Sequence, residues 1–162
     1  MKDFIQLKKD NVLRIGIKNQ FGEDTGKFLE FDMEDIELPL RYQMLLEKHK
    51  KDVNYVEHQF YIIDKKQDVK GKKLLSVNEE KKLEVLREFY KREMEALDMF
   101  LGEGKTQMIL DIMNRKPYWQ MFDDIGEAIQ PILPLFENNI KSIGEKIKNK
   151  YKLEEDNVLK NE

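Results

Sequence analysis

Residues 76–104 read SVNEEKKLEVLREFYKREMEALDMFLGEG, and this stretch sets the fold class. Ser76 followed three positions later by Glu79 has the spacing of a capping box, in which each side chain satisfies a backbone N–H at the start of a helix. Leu83, Leu86, Tyr90, Met94, Leu97 and Leu101 then recur at three and four, so a helix places them on one stripe. Lys81, Glu84, Glu88, Lys91 and Glu95 fall elsewhere on the same helix. Gly102 and Gly104 end it, since glycine accepts the left-handed conformation at a helix terminus. The pattern predicts an amphipathic helix from about Glu79 to Leu101, which needs further elements to cover its stripe.

Upstream, Gln67 to Lys73 is a polar linker containing Gly71, and before it Pro39 suits the first turn of another helix. In that helix Leu45, Val53, Val56, Phe60 and Ile63 recur mainly at three and four. Nearer the start the period changes to two. Leu13, Ile15 and Ile17 alternate with Arg14, Gly16 and Lys18, and Leu29, Phe31 and Met33 alternate with Glu30 and Asp32. Asn19 to Gly26 between them is rich in turn formers, which predicts a hairpin, with Phe4 to Leu7 as a third strand. A lone hairpin is marginal in water, so this one must pack on something.

Downstream, a short helix is expected over Thr106 to Met113, stopped at Lys116-Pro117 because a residue before proline disfavours the helical conformation. Pro117 can open the next helix, where Trp119, Phe122, Ile125 and Ile129 share a face, and Pro131 and Pro134 then break the path. The last helix carries Phe136, Ile140, Ile143, Ile147 and Tyr151, and its stripe is lost after Leu153. The expected fold is mainly α, of the α+β class: a small antiparallel β-hairpin or meander followed by four to five amphipathic helices. One domain covers residues 1–152, with the β element in 1–36 and the helices in 37–152, and residues 153–162 are expected to form a disordered tail.

The totals agree with one domain. The chain has 162 residues, 40% hydrophobic and 38% charged, so a core is available beneath a highly charged surface. Its 29 basic and 32 acidic residues are interleaved and leave a net charge of −3, which makes nucleic acid an unexpected partner. With no cysteine, disulfides, thiolate metal sites and a cysteine nucleophile are excluded. The opening residues are too charged for a signal peptide, and no run approaches the ~20 apolar residues of a membrane span, so a cytoplasmic location without membrane contact is expected.

No catalytic, cofactor or metal-ligating residues are expected. Gly102-Glu103-Gly104-Lys105-Thr106 resembles the end of a P-loop, but Met99 stands where the first glycine belongs, and the segment follows an amphipathic helix instead of a buried strand. His49 and His58 are nine residues apart and so face opposite ways on one helix; exposed or rim positions are the plain reading. Asp123-Asp124 diverge by ~100° on a helix and suit its terminus better than a shared substrate. Lys141, Lys146, Lys148, Lys150 and Lys152 lack arginine and suit the end of a helix by the same logic. The most informative cluster is Tyr118, Trp119 and Phe122 with Ile125 and Ile129: core packing is its default reading, and a patch for binding another protein is the functional one.

Asp98-Met99-Phe100-Leu101-Gly102-Glu103-Gly104, then Lys116-Pro117-Tyr118-Trp119 and Met121-Phe122-Asp123-Asp124, resemble segments of the tail assembly chaperones of phages and prophages of Gram-positive bacteria. Leu38-Pro39-Leu40-Arg41-Tyr42 and Ile147-Lys148-Asn149-Lys150-Tyr151 extend the resemblance to roughly residues 37–151. It implies a non-enzymatic protein of the bacterial host's cytoplasm that coats the tape measure protein until tail tube protein polymerises around it, and that is absent from the finished virion. In many members the gene also yields a longer frameshifted form of the same chain; a homo-oligomer is an open alternative for this chain, since the sequence does not fix the oligomeric state. A structural tail or head–tail connector component retained in the particle is the alternative. The family offers no catalytic residues to carry over.

Overall fold

The computed structural model describes the backbone of residues 3–160 and side chains as far as residue 152. Strands β1 (Val12–Lys18) and β2 (Asp24–Asp32) form an antiparallel two-stranded sheet in which Leu13 stands opposite Phe31 and Ile15 opposite Leu29. Because side chains alternate along a strand, this register puts Leu13, Ile15, Ile17, Leu29 and Phe31 on one face. An irregularity after Ile17 brings Lys18 opposite Asp24. The connecting turn is held by the Asn19 carboxamide oxygen, which accepts from the amides of Phe21 (2.9 Å) and Glu23 (3.0 Å), and Gly22 supplies a φ of 77°.

The third strand expected at Phe4 to Leu7 is not formed: residues 3–10 are an exposed arm without strand pairing. Where the arm meets β1, Lys9 pairs with Asp32 on β2 at 3.9 Å, and Asn11, at φ 59°, accepts the amide of Met33 at 3.0 Å and reaches Glu34 at 2.9 Å. These contacts hold the junction on the β2 side, away from the free edge of β1.

Helices α1 (Leu38–Asp64) and α2 (Val77–Leu101) pack against each other along the molecule. Pro39 sits in the first turn of α1, and Arg41 hydrogen-bonds Asp35, which holds that carboxyl below its usual range. The capping box at α2 is complete: the Glu79 amide donates to Ser76 Oγ (3.1 Å) and the Ser76 amide donates to Glu79 Oε1 (3.3 Å). Asn78 serves the preceding helix, its Nδ2 donating to the carbonyls of Ile63 (3.2 Å) and Lys66 (3.0 Å). The buried line of α2 is rotated from the expected stripe. Phe89, Glu93, Ala96 and Phe100 face inward with Leu97 and Leu101, whereas Leu83 is exposed. The two phenylalanines bury more area than Leu83 does, and α1 supplies a partner for the carboxylate of Glu93.

Helix α3 (Lys105–Ile112) follows the glycine turn, and α4 (Met121–Ile129) begins later than Tyr118, because Tyr118 to Met121 form a turn closed by the Met121 amide on the Tyr118 carbonyl (3.1 Å). A single 3-10 turn, Gln130–Ile132, takes Pro131, and Pro134 lies in the first turn of α5 (Leu133–Lys160), where prolines cost no hydrogen bond. Helical backbone therefore runs through residues 153–160, part of the expected tail; residues 161 and 162 lie outside the described residues.

One core joins these elements. Phe31 of β2, Phe100 of α2 and Phe136 of α5 meet with ring centroids 5.5, 5.6 and 6.1 Å apart, mostly tilted or edge-on as aromatic quadrupoles prefer. Leu97, Leu110 and Met121 fill the space around them. The hairpin thus lies on the helices of its own chain.

Candidate functional site

The inner face of the hairpin does not close fully on the helices. Between β1 and the pair α3 and α4 lies an apolar groove of about 370 Å³, lined chiefly by Ile15, Ile17, Ile109, Met113, Ile125 and Ile129. Strand β1 gives the groove four consecutive residues, Ile15 to Lys18, and β2 gives it Leu29 alone, so it opens under the outer edge of β1. That edge carries unpaired backbone groups, since among the described residues β1 pairs only with β2. Lys18 and Asp124 are the charged members of the lining.

The five residues expected to bind a partner are divided by the structure. Ile125 and Ile129 are buried and form part of the groove wall. Phe122 is buried as well, but away from the groove: its ring stacks on His49, centroids 3.7 Å apart and planes 4° from parallel. A side chain enclosed in this way belongs to the core and offers no surface to another protein, which corrects the contact reading for Phe122. Trp119 remains 43% exposed, with its ring 5.2 Å from that of Phe89. Tyr118 is half-buried, its hydroxyl donating to Asp124 (2.7 Å) beneath the Arg115 guanidinium, 3.7 Å from the ring centre. Burial, with that acceptor, pushes the Tyr118 phenol up to about 12. Asp124 therefore orients Tyr118 as well as lying in the first turn of α4.

The histidines separate too. His58 is exposed, while the half-buried His49 places Nδ1 2.8 Å from Oε1 of Glu93, whose other oxygen is buried without a partner. A charged residue at an inward position of α2 has no signal in hydrophobic periodicity, which is why this pair escapes sequence reading.

The turn that resembles a P-loop is already occupied. Asp98 accepts the amides of Gly104 (3.0 Å) and Thr106 (2.9 Å), so its carboxylate stands where a phosphate would be cradled. Lys105 reaches the hairpin, its Nζ donating to the Phe28 carbonyl at 3.4 Å. Among the described residues, no three His, Asp or Glu side chains gather around a possible metal position.

On α5 the residues beyond Phe136 make a second apolar surface, with Ile140, Ile147 and Tyr151 exposed at helical spacing among lysines. No helix of the described residues is long and apolar enough to cross a membrane. Comparison with protein-family models, with curated proteins and with solved structures yields no match to this chain.

Proposed function

We propose that this chain is a non-enzymatic phage tail assembly chaperone, which binds the tape measure protein and keeps it soluble while tail tube protein assembles around it. The observation that supports the reading best is the open apolar groove beneath the β1 edge, with Ile125 and Ile129 in its wall. An apolar side chain from a long, aggregation-prone client gains by leaving water there, while the surrounding charged surface keeps the complex soluble. Trp119, partly exposed on the same segment of chain, adds an aromatic contact of the kind that dominates protein interfaces. The resemblance at residues 98–104 and 116–124 supplies the identity of the client.

Co-expression tests it. The tape measure protein should stay in the soluble fraction and co-purify with this chain, and the gain should shrink in Trp119→Ala and in Ala128→Arg, which sets a long charged side chain on the groove. Phe122→Ala is not a usable probe, because losing a buried aromatic costs about 3–5 kcal/mol of stability. If the two proteins neither associate nor change each other's solubility, the proposal fails. Stoichiometric recovery of the chain from purified virions would mark it as a retained tail or connector component instead.

A further inference from the structure

The molecule carries an unfilled apolar groove and, separately, an apolar segment with nothing to cover it. In the arm of residues 3–10, Phe4 is 86%, Ile5 90% and Leu7 88% exposed. We propose that the groove is occupied by the arm of a second copy of this chain, so that two copies exchange arms, each adding a third strand to the other's β1. This goes beyond the chaperone reading: arm and client compete for one groove, and self-association and peptide binding are measured on this chain alone, so their failure leaves the chaperone reading standing.

The arm's chemistry fits the site. Ile5 and Leu7 are two residues apart, so in an extended conformation they share a face and can enter the groove beside Ile15 and Ile17. At about 3.3 Å per residue, residues 3–10 span roughly the length of β1. Its backbone would satisfy the unpaired N–H and C=O groups along that edge. Asp3 shares the face of Ile5 and Leu7, and Lys18 in the groove lining offers it a partner of opposite sign.

The arm of the same copy is badly placed for this. Lys9 lies against Asp32, and Asn11 is bonded to Met33 and Glu34, so the chain enters β1 from the β2 side. Folding back onto the opposite edge would break these contacts and require a reversal at Asn11. A second copy meets no such constraint, and mutual exchange gives a closed two-fold dimer.

The test uses two defects that complement each other. The full chain should be a dimer by light scattering. Deletion of residues 2–10 and, separately, Ala128→Arg should each weaken self-association at least about a hundredfold, as expected for losing two buried aliphatic side chains. The two variants mixed should form a heterodimer, because one keeps the groove and the other keeps the arm. A labelled peptide of residues 1–10 should bind the arm-deleted protein, and Ile5→Asp with Leu7→Asp in the peptide should abolish binding. A monomeric full chain, dimers that survive both changes, or failure of the peptide to bind overturns the proposal. The peptide measurement decides the matter even if Ala128→Arg fails to fold.

Discussion

Replacing His49 by alanine should destabilise the protein far more than an ordinary partly exposed histidine would. The Glu93 residue is 1% exposed, its Oε1 rests 2.8 Å from His49 Nδ1, and its Oε2 has no partner. Removing the imidazole leaves an inward carboxylate with no acceptor-matching donor, a change that costs about 3–5 kcal/mol when one member of a buried pair is lost. Loss of the stack on Phe122 adds about 0.5–1.5 kcal/mol. Glu93→Met should behave differently, since it fills a similar volume, removes the buried carboxyl group, and leaves unpaired only a half-buried imidazole; its cost should be smaller than that of His49→Ala. The double variant should therefore recover about 2–4 kcal/mol relative to His49→Ala. Urea unfolding of the four proteins measures each term directly, and in thermal scans His49→Ala should melt about 7–26 °C below the parent, at roughly 2–4 °C per kcal/mol for a chain of this size. The reasoning is refuted if His49→Ala costs less than about 1 kcal/mol, or if adding Glu93→Met to it brings no recovery.

Four further outcomes follow from the local chemistry. Ser76→Ala should cost about 1 kcal/mol by opening the capping box of α2, and Asn78→Ala about 1–3 kcal/mol by stripping the carbonyls of Ile63 and Lys66 of their donor; equilibrium unfolding distinguishes the two. Asp98→Ala should cost about 1–2 kcal/mol and raise amide exchange at Gly104 and Thr106 specifically, whereas unchanged exchange there would show that the carboxylate does not cap α3. For Tyr118 the phenol rises from 10.0 to about 12 on folding, so the folded state holds the proton more tightly. Its stabilising contribution is complete below pH 10 and is lost as pH climbs through about 12. Tyr118→Phe should accordingly lose less stability than the parent over that window; Tyr90, also raised, is present in both proteins and drops out of the comparison.

The contrast between Leu83 and Glu93 shows where periodicity stops being informative. Both lie on α2, and their helical spacing is legible, but the hydrophobic stripe points to Leu83 and the packing selects Glu93. Which line along a helix is buried depends on what approaches it, and α1 approaches with a histidine. The same limit applies to Tyr118, Trp119, Phe122, Ile125 and Ile129. They read as one cluster along the chain, yet they serve four environments: a hydrogen bond to Asp124, a ring contact with Phe89, a stack on His49, and the groove wall.

From the residues alone come the hairpin phase, the helices and most of their limits: Pro39 and Ser76 at starts, Gly102 and Gly104 at a stop, and Pro117 and Pro131 between helices. Those signals act within about four residues through φ restriction, capping and side-chain periodicity, so they survive without knowledge of distant partners. Tertiary structure alone decided that β1 keeps a free edge over an apolar groove, that Asp98 fills the turn resembling a phosphate loop, and that the arm at residues 3–10 leaves its own sheet unextended. Each of these depends on which surfaces compete for the same face across long sequence separations, and burial is settled by that competition.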